Sequence, residues 1–233
     1  MTSTAGLARE TGAGLPHVAI YTDGSAAPTN PGPGGYGVLL IRGRLRQEFF
    51  GGYRHTTNNR MELMAAIVAL ETLEEPSEVM LFSDSKYLVD SMEKGRARRW
   101  QARGWRCSKG PAKNADLWIR LLLLCLIHDV TFAWIRGHAG NRDNERCDEL
   151  AERGRCKPDN PPDTGYENPD SEESRVTREG QPCPVCLTPV AVELRHRSKW
   201  KHKILSKPAT LLYCVTCNVR YEVQSESRLA ARP

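Results

Sequence analysis

Residues 17–25 read His-Val-Ala-Ile-Tyr-Thr-Asp-Gly-Ser, and residues 57–67 read Thr-Asn-Asn-Arg-Met-Glu-Leu-Met-Ala-Ala-Ile. The first run is apolar from His17 to Thr22 and reads as a strand followed by Asp23. The second opens a segment, Asn58 to Leu73, with Met61, Met64, Ala65, Val68 and Leu73 at helical spacing. Glu62 therefore falls inside a helix among apolar neighbours. Between the two runs, Gly35 to Ile41 and Leu45 to Tyr53 read as an antiparallel strand pair joined by a Gly-Arg turn. Beyond them, Val79 to Phe82 reads as a short buried strand and Asp84 to Met92 as a helix. Asp116 to His128 reads as a Leu-rich helix, Val130 to Ile135 as a strand, and Arg142 to Arg153 as a closing helix. Three strands followed by helix–strand alternation imply an α/β fold built on a mixed sheet.

The 233 residues leave room for a second, smaller unit. Residues 1–15 are small, polar and Gly-rich and are expected to be disordered. Residues 16–155 carry the globular pattern. Residues 156–182 are rich in Pro and acids, with seven acids against two arginines from Asp159 to Glu179, and read as a linker. From Cys183 to Pro233 the chain turns basic and contains paired cysteines. The net charge of +5 is by itself weak evidence for a nucleic-acid partner. No secretory signal is visible, and Leu121 to Ile127 is too short to span a bilayer. A cytoplasmic monomer with no membrane contact is the expectation.

Asp23 and Asp84 each follow an apolar strand, where open α/β sheets gather functional groups, and Glu62 lies in the helix. Clustered carboxylates repel one another unless cations compensate them, and Mg²⁺ suits oxygen ligands beside phosphate. Each acid taken alone also fits a turn or a helix cap, since Asp-Gly is a common turn and Asp a common cap.

The segment Tyr-Thr-Asp23-Gly-Ser, followed by Asn30-Pro-Gly-Pro-Gly-Gly-Tyr-Gly, resembles the opening of type 1 ribonuclease H of the bacterial kind. Thr-Thr-Asn-Asn-Arg-Met-Glu62 is similar to that family's first helix, and Asp84-Ser to its third acid. Gly-His138-Ala-Gly-Asn-Arg-Asp-Asn-Glu-Arg-Cys-Asp148-Glu-Leu-Ala is similar to its last motif. The match spans roughly residues 17–153 in motif order. It implies a five-stranded mixed sheet with helices on both faces, and hydrolysis of the RNA strand of RNA–DNA hybrids. It further implies a pair of Mg²⁺ ions about 4 Å apart, with Mn²⁺ as an alternative, held by Asp23, Glu62, Asp84 and Asp148. Asp23 is expected to bridge the ions, Glu62 and Asp84 to serve the leaving-group side, and Asp148 the side of the attacking water. His138, in a Gly-flanked loop, is implied as a proton shuttle or an aid to product release. An integrase or junction resolvase lacks the combined Asn-Asn-Arg-Met-Glu and Gly-His-Ala-Gly pattern. A module that binds hybrids without cutting them has no use for four intact carboxylates.

Hybrid recognition needs groups that read the 2′-hydroxyl in a wide minor groove. By resemblance, Gly24, Ser25, Asn58, Asn59 and Glu62 are candidates. Asn30 and Thr57 are candidates for the DNA strand, although Ala26 to Thr29 makes the loop before Asn30 one residue longer than the family's usual one. Lys94 to Arg120 holds nine Lys or Arg against Asp116. Trp100, Arg103, Trp105 and Lys113 in this stretch are expected to contact the duplex, as on a basic protrusion. The alternative is a solvated helix face with two packing tryptophans.

Cys183-Pro-Val-Cys186 and Cys214-Val-Thr-Cys217 are spaced for one structural Zn²⁺ in a zinc ribbon. A redox pair or free thiols are the alternatives. Between the pairs, Arg195 to Lys203 reads RHRSKWKHK, either a nucleic-acid contact with Trp200 stacking or a solubilising loop.

Overall fold

Asp23 and Gly24 lie within a strand, not in the turn that their dipeptide suggests. In the computed structural model, which describes residues 15–108, 110–168, 180–183, 188–192, 210–217 and 219–223, β1 (His17–Ala26) runs past the expected end at Thr22. It does so because β2 (Gly32–Arg42) pairs with it antiparallel, from Ala19↔Ile41 to Ala26↔Gly34. The ladder satisfies backbone groups of Asp23 and Gly24 that a turn would leave to solvent. β3 (Leu45–Thr56) returns antiparallel along β2 after Gly43, whose φ of 59° suits the turn. The expected disordered residues 1–14, together with Cys186 and the run Arg195–Lys203, lie outside the described residues.

α1 (Asn58–Glu71) follows, then β4 (Glu78–Ser83), which pairs parallel with β1 from His17↔Glu78 to Thr22↔Ser83. α2 (Lys86–Glu93) starts at Ser85, whose hydroxyl accepts from the Leu88 amide. α3 (Arg96–Ala102) starts after Gly95, at φ 63°. The sequence offers a helix there only as an alternative, because its cations hide the one buried position, Ala97. A two-residue ladder pairs β5 (Arg106–Cys107) with β6 (Gly110–Pro111). α4 (Ala115–Ile127) leads into β7 (Asp129–Trp134), which pairs parallel with β4. α5 (Arg142–Arg155) is capped by the Asn141 side chain, which accepts from the amides of Asp143 and Asn144. The sheet order is β3-β2-β1-β4-β7, the expected five-stranded mixed sheet.

α1 lies between β1 and α4 and is buried nearly all round, from Arg60 and Met61 to Leu70. α5 covers the opposite face over β2 and β1. It lies so close that a Cβ on Gly35 or Gly37 would overlap the backbone of Ala151 or Cys147. Only glycine permits that approach.

Of the expected linker, residues 156–168 pack on the domain, while residues 169–179 lie outside the described residues. α6 (Thr164–Glu167) packs on β3, and Asp163 is buried. Asp163 accepts from Thr56 Oγ1 at 2.6 Å and from Arg60 Nε at 2.6 Å, and Glu167 pairs with Arg54 at 2.8 Å. Acidic composition suggests a solvated tether, but these acids are fixed by cations of the domain. Beyond residue 180, β8 (Ala191–Val192), β9 (Thr210–Tyr213) and β10 (Arg220–Val223) form a separate three-stranded sheet in the order β10-β9-β8.

Candidate active site and a second cluster of cysteines

The sheet register brings the acids together. Because Thr22 pairs with Ser83, the next residues along the parallel strands, Asp23 and Asp84, emerge side by side. Glu62 arrives from the first turns of α1, where a Cβ on Gly24 would overlap the Glu62 backbone nitrogen. One carboxylate oxygen from each of Asp23, Glu62 and Asp84 lies within 4.8 Å of the others. Asp148 reaches the same region from α5. Asp23 pairs with Gly37, and α5 passes over Gly37 at Cys147, the neighbour of Asp148. Asp148 stands outside the tight trio yet is near enough to push the Asp23 pKa up.

Burial first, then the charges of Asp84 and Asp148, raise the Asp23 pKa to about 7, against a lowering by the Gly24 amide that donates to its Oδ1 at 2.6 Å. Burial and the charges of Asp23 and Asp84 push Glu62 well above the ordinary carboxylate range. Glu62 Oε2 is inaccessible to solvent and has no hydrogen-bond partner among the described residues. Uncompensated buried oxygens and mutually repelling acids fit a divalent cation, the compensation that oxygen ligands recruit.

Other groups hold the acids in place. Gly137 approaches Asp84 so closely that a Cβ there would overlap Oδ2. Asn144 Nδ2 lies 3.4 Å from the same oxygen, and Trp134 Nε1 donates to the Asp84 carbonyl at 3.0 Å. Sequence reading missed Asn144 and Trp134. The only signal for Asn144 was its place between His138 and Asp148. His138 itself is exposed, at φ 51°, in the loop after β7.

The expected substrate contacts divide into two groups. Asn58 and Asn59 are exposed at the start of α1; Asn58 Oδ1 accepts from the Ala26 amide, and Asn30 Oδ1 accepts from the Asn58 amide at 3.2 Å. Asn30 therefore supplies the helix cap that Thr57 does not. Gly24 is buried and Ser25 half-buried beside these groups. On the protrusion, Arg103 and Lys113 are exposed, but burial of Trp105 departs from the expectation. Trp105 is 5% exposed, so its ring offers no face to a duplex. Trp100 is half-buried and packs edge-on against Trp118, with centroids 5.9 Å apart. Of the two readings of this stretch, contact with the duplex or a helix face with packing tryptophans, the second describes the Trp105 ring.

Arg60, inside the Asn-Asn-Arg-Met-Glu motif, was read only as part of that pattern. It is buried and donates to Asp116 at 3.0 and 2.7 Å and to Asp163 at 2.6 and 2.8 Å. This network ties the first turn of α1 to α4 and to the segment after α5.

A second cluster involves Cys183, Cys214 and Cys217, all buried, with their sulfurs within 4.8 Å of one another. Cys183 and Cys217 sulfurs are 3.6 Å apart, well beyond a disulfide bond. The two loops close alike: the Cys183 amide donates to Thr188 O and the Cys214 amide to Val219 O, both at 2.9 Å. The neighbouring Cys183 thiol and burial push the Cys217 pKa up.

A carboxylate trio at the centre of a mixed sheet, with a fourth acid alongside, forms an acidic site on a ribonuclease H-like fold. A family model for RNase H matches residues 16–156. A ribonuclease H of Trichodesmium erythraeum is 57% identical over 151 residues, covering 64% of this chain and 96% of that protein. One of Syntrophus aciditrophicus is 56% identical over 150 residues, covering 64% of this chain and 86% of the other. The solved structure of LC9-RNase H1, a type 1 RNase H with the type 2 active-site motif, aligns at TM-score 0.57 and 31% identity, over 62% of this chain and 74% of that one. The chain belongs to the RNase H family. The cysteine cluster lies beyond the matched residues.

Proposed function

We propose that this chain hydrolyses the RNA strand of RNA–DNA hybrids and leaves 5′-phosphate and 3′-hydroxyl ends. The observation that carries the reading is the convergence of Asp23, Glu62 and Asp84 within 4.8 Å, with a buried Glu62 oxygen that lacks a partner among the described residues. Asp23, Glu62, Asp84 and Asp148 would hold divalent cations, with Mg²⁺ the proposed metal and Mn²⁺ its alternative. When bound, such ions supply charge stabilisation for the attacking water and the leaving oxygen.

The chain's own groups do the rest. Gly24, Ser25, Asn58 and Asn59, which lie beside the carboxylate group, are proposed to read the 2′-hydroxyl. Asn30 and Thr57, at the start of α1, are proposed to meet the DNA strand. His138, exposed in its loop, takes or returns a proton at the scissile phosphate. Exposed Arg103 and Lys113 hold duplex phosphates.

The cysteine cluster is proposed as a structural Zn²⁺ site, with Cys186 as the fourth thiolate by its C-x-x-C spacing. Reduced, metal-held thiolates suit a cytoplasmic setting. No helix among the described residues is long and apolar enough to cross a membrane. The functional reading is tested by end analysis of products from a labelled hybrid. Ends that accept ligation through a 5′-phosphate support it, and 2′,3′-cyclic phosphate ends contradict it.

A further inference from the structure

The indole of Trp105 joins the loop of Cys214 and Cys217 to the basic protrusion. Trp105 sits in Arg103-Gly104-Trp105-Arg106, flanked by exposed arginines. Its backbone is left-handed at φ 60°, a conformation that a bulky residue avoids unless its surroundings impose it. The imposing groups are identifiable. The Trp105 amide donates to Trp100 O at 2.7 Å, and its carbonyl accepts from the Ala112 amide at 2.8 Å. The indole Nε1 donates to Cys217 O at 2.8 Å, across 112 positions of sequence. The ring belongs to the same continuous cluster of buried side chains as Ala97, Ala112, Cys183, Cys214 and Cys217.

We propose that the thiolate site of Cys183, Cys214 and Cys217 positions the substrate-binding protrusion: a borderline-soft divalent cation such as Zn²⁺ fixes the Cys217 carbonyl, which holds Trp105 and so aims Arg103 and Arg106 at duplex phosphates. The inference rests on reading the cysteines as a metal site and the hybrid as substrate. Its physical basis is that a small sheet such as β8-β9-β10 has little core of its own, so its folding follows metal binding. The Cys214 amide, bonded to Val219 O, closes the loop that presents the Cys217 carbonyl. Thr216 Oγ1 donates to Thr188 Oγ1 at 3.0 Å and ties the two loops together. Without the metal, the indole N–H loses its acceptor and the ring loses part of its cover. The left-handed backbone then has no reason to persist, and the arginines on either side lose their fixed directions. Trp105 and Cys217 are thus positioning residues, acting on affinity and not on the bond-breaking step.

The test uses the full chain as wild type, Cys217→Ser and Trp105→Phe. Metal content and Co²⁺ absorption are measured first, then hybrid KM and kcat across a range of salt concentrations. The expected wild type binds Zn²⁺ and, with Co²⁺, shows thiolate charge-transfer bands. Trp105→Phe keeps those bands, yet its KM rises about threefold or more with kcat retained, and its salt dependence flattens by about one phosphate contact. Cys217→Ser loses the bands and shows the same KM and salt shifts. Bands present with unchanged KM and salt slope in both variants would overturn the coupling, and so would a kcat loss as large as the KM change. Absence of bands in the wild type sinks the metal reading and the proposal with it. A wild type that binds metal but never cuts hybrid sinks the functional reading instead.

Discussion

Gly24 and Glu62 touch through backbone: the strand passes the helix so closely that a Cβ on Gly24 would overlap the Glu62 nitrogen. The contact sets how far α1 stands from the sheet, and therefore where the Glu62 carboxylate falls relative to Asp23. Gly24→Ala is expected to push α1 outward, at a cost of about 1–3 kcal/mol. It should also lower cleavage by about a hundredfold through displacement of a ligand. Thermal melts and hybrid cleavage check this. A variant with wild-type activity would mean that α1 can shift without moving Glu62.

Asp23 gives a pH-dependent prediction. Its folded pKa, about 7, lies above the unfolded carboxylate value. Between those values the folded protein keeps a proton that the unfolded chain has lost. Stability from this group is therefore full at acid pH and is lost as pH rises through 7. In chelator at pH 8, Asp23→Asn should melt several degrees above wild type, reflecting about 1–3 kcal/mol, and the gap should close towards pH 4. Mg²⁺ should raise the wild-type melting point more than the variant's. A variant that melts below wild type at pH 8 contradicts the repulsion.

The strands, the principal helices and the four acids were legible in the sequence because apolar period and motif order are local signals. What escaped depends on partners far along the chain. Gly24 reads as a turn residue until β2 supplies its ladder partner Tyr36. Trp105 reads as a duplex contact until its bond to Cys217 and its burial are known. Asp163 lies in a Pro- and acid-rich stretch that composition assigns to solvent. Its burial follows from Thr56 and from Arg60, a cation that the helical pattern places among apolar neighbours.

That pair makes a prediction about boundaries. A fragment ending at Arg155 leaves buried Arg60 with Asp116 alone, while one ending at Asn168 keeps Asp163. The longer fragment should be more stable by about 2–4 kcal/mol, as expected when a buried ion network keeps its partner. Urea titrations of the two fragments decide it. Equal midpoints would show that Asp163 contributes nothing to the domain.

His138 and Asp23 should differ in rank. His138 stands on an exposed loop at φ 51° and would handle a proton, whereas Asp23 lies at the centre of the carboxylate group. His138→Ala is expected to lose about tenfold to a hundredfold in kcat. Asp23→Asn should lose nearly all activity. Single-turnover and steady-state rates measured together locate the histidine's effect in proton transfer or in product release, and equal losses in the two variants would contradict the ranking.

The most direct measurement is cleavage of a strand-labelled RNA–DNA hybrid by wild type and Asp23→Asn, each with Mg²⁺ and with chelator. The account predicts cutting of the RNA strand by wild type with Mg²⁺ and by neither protein in the other conditions. Hybrid bound but uncut by wild type with Mg²⁺, or cut equally well by Asp23→Asn, would contradict it.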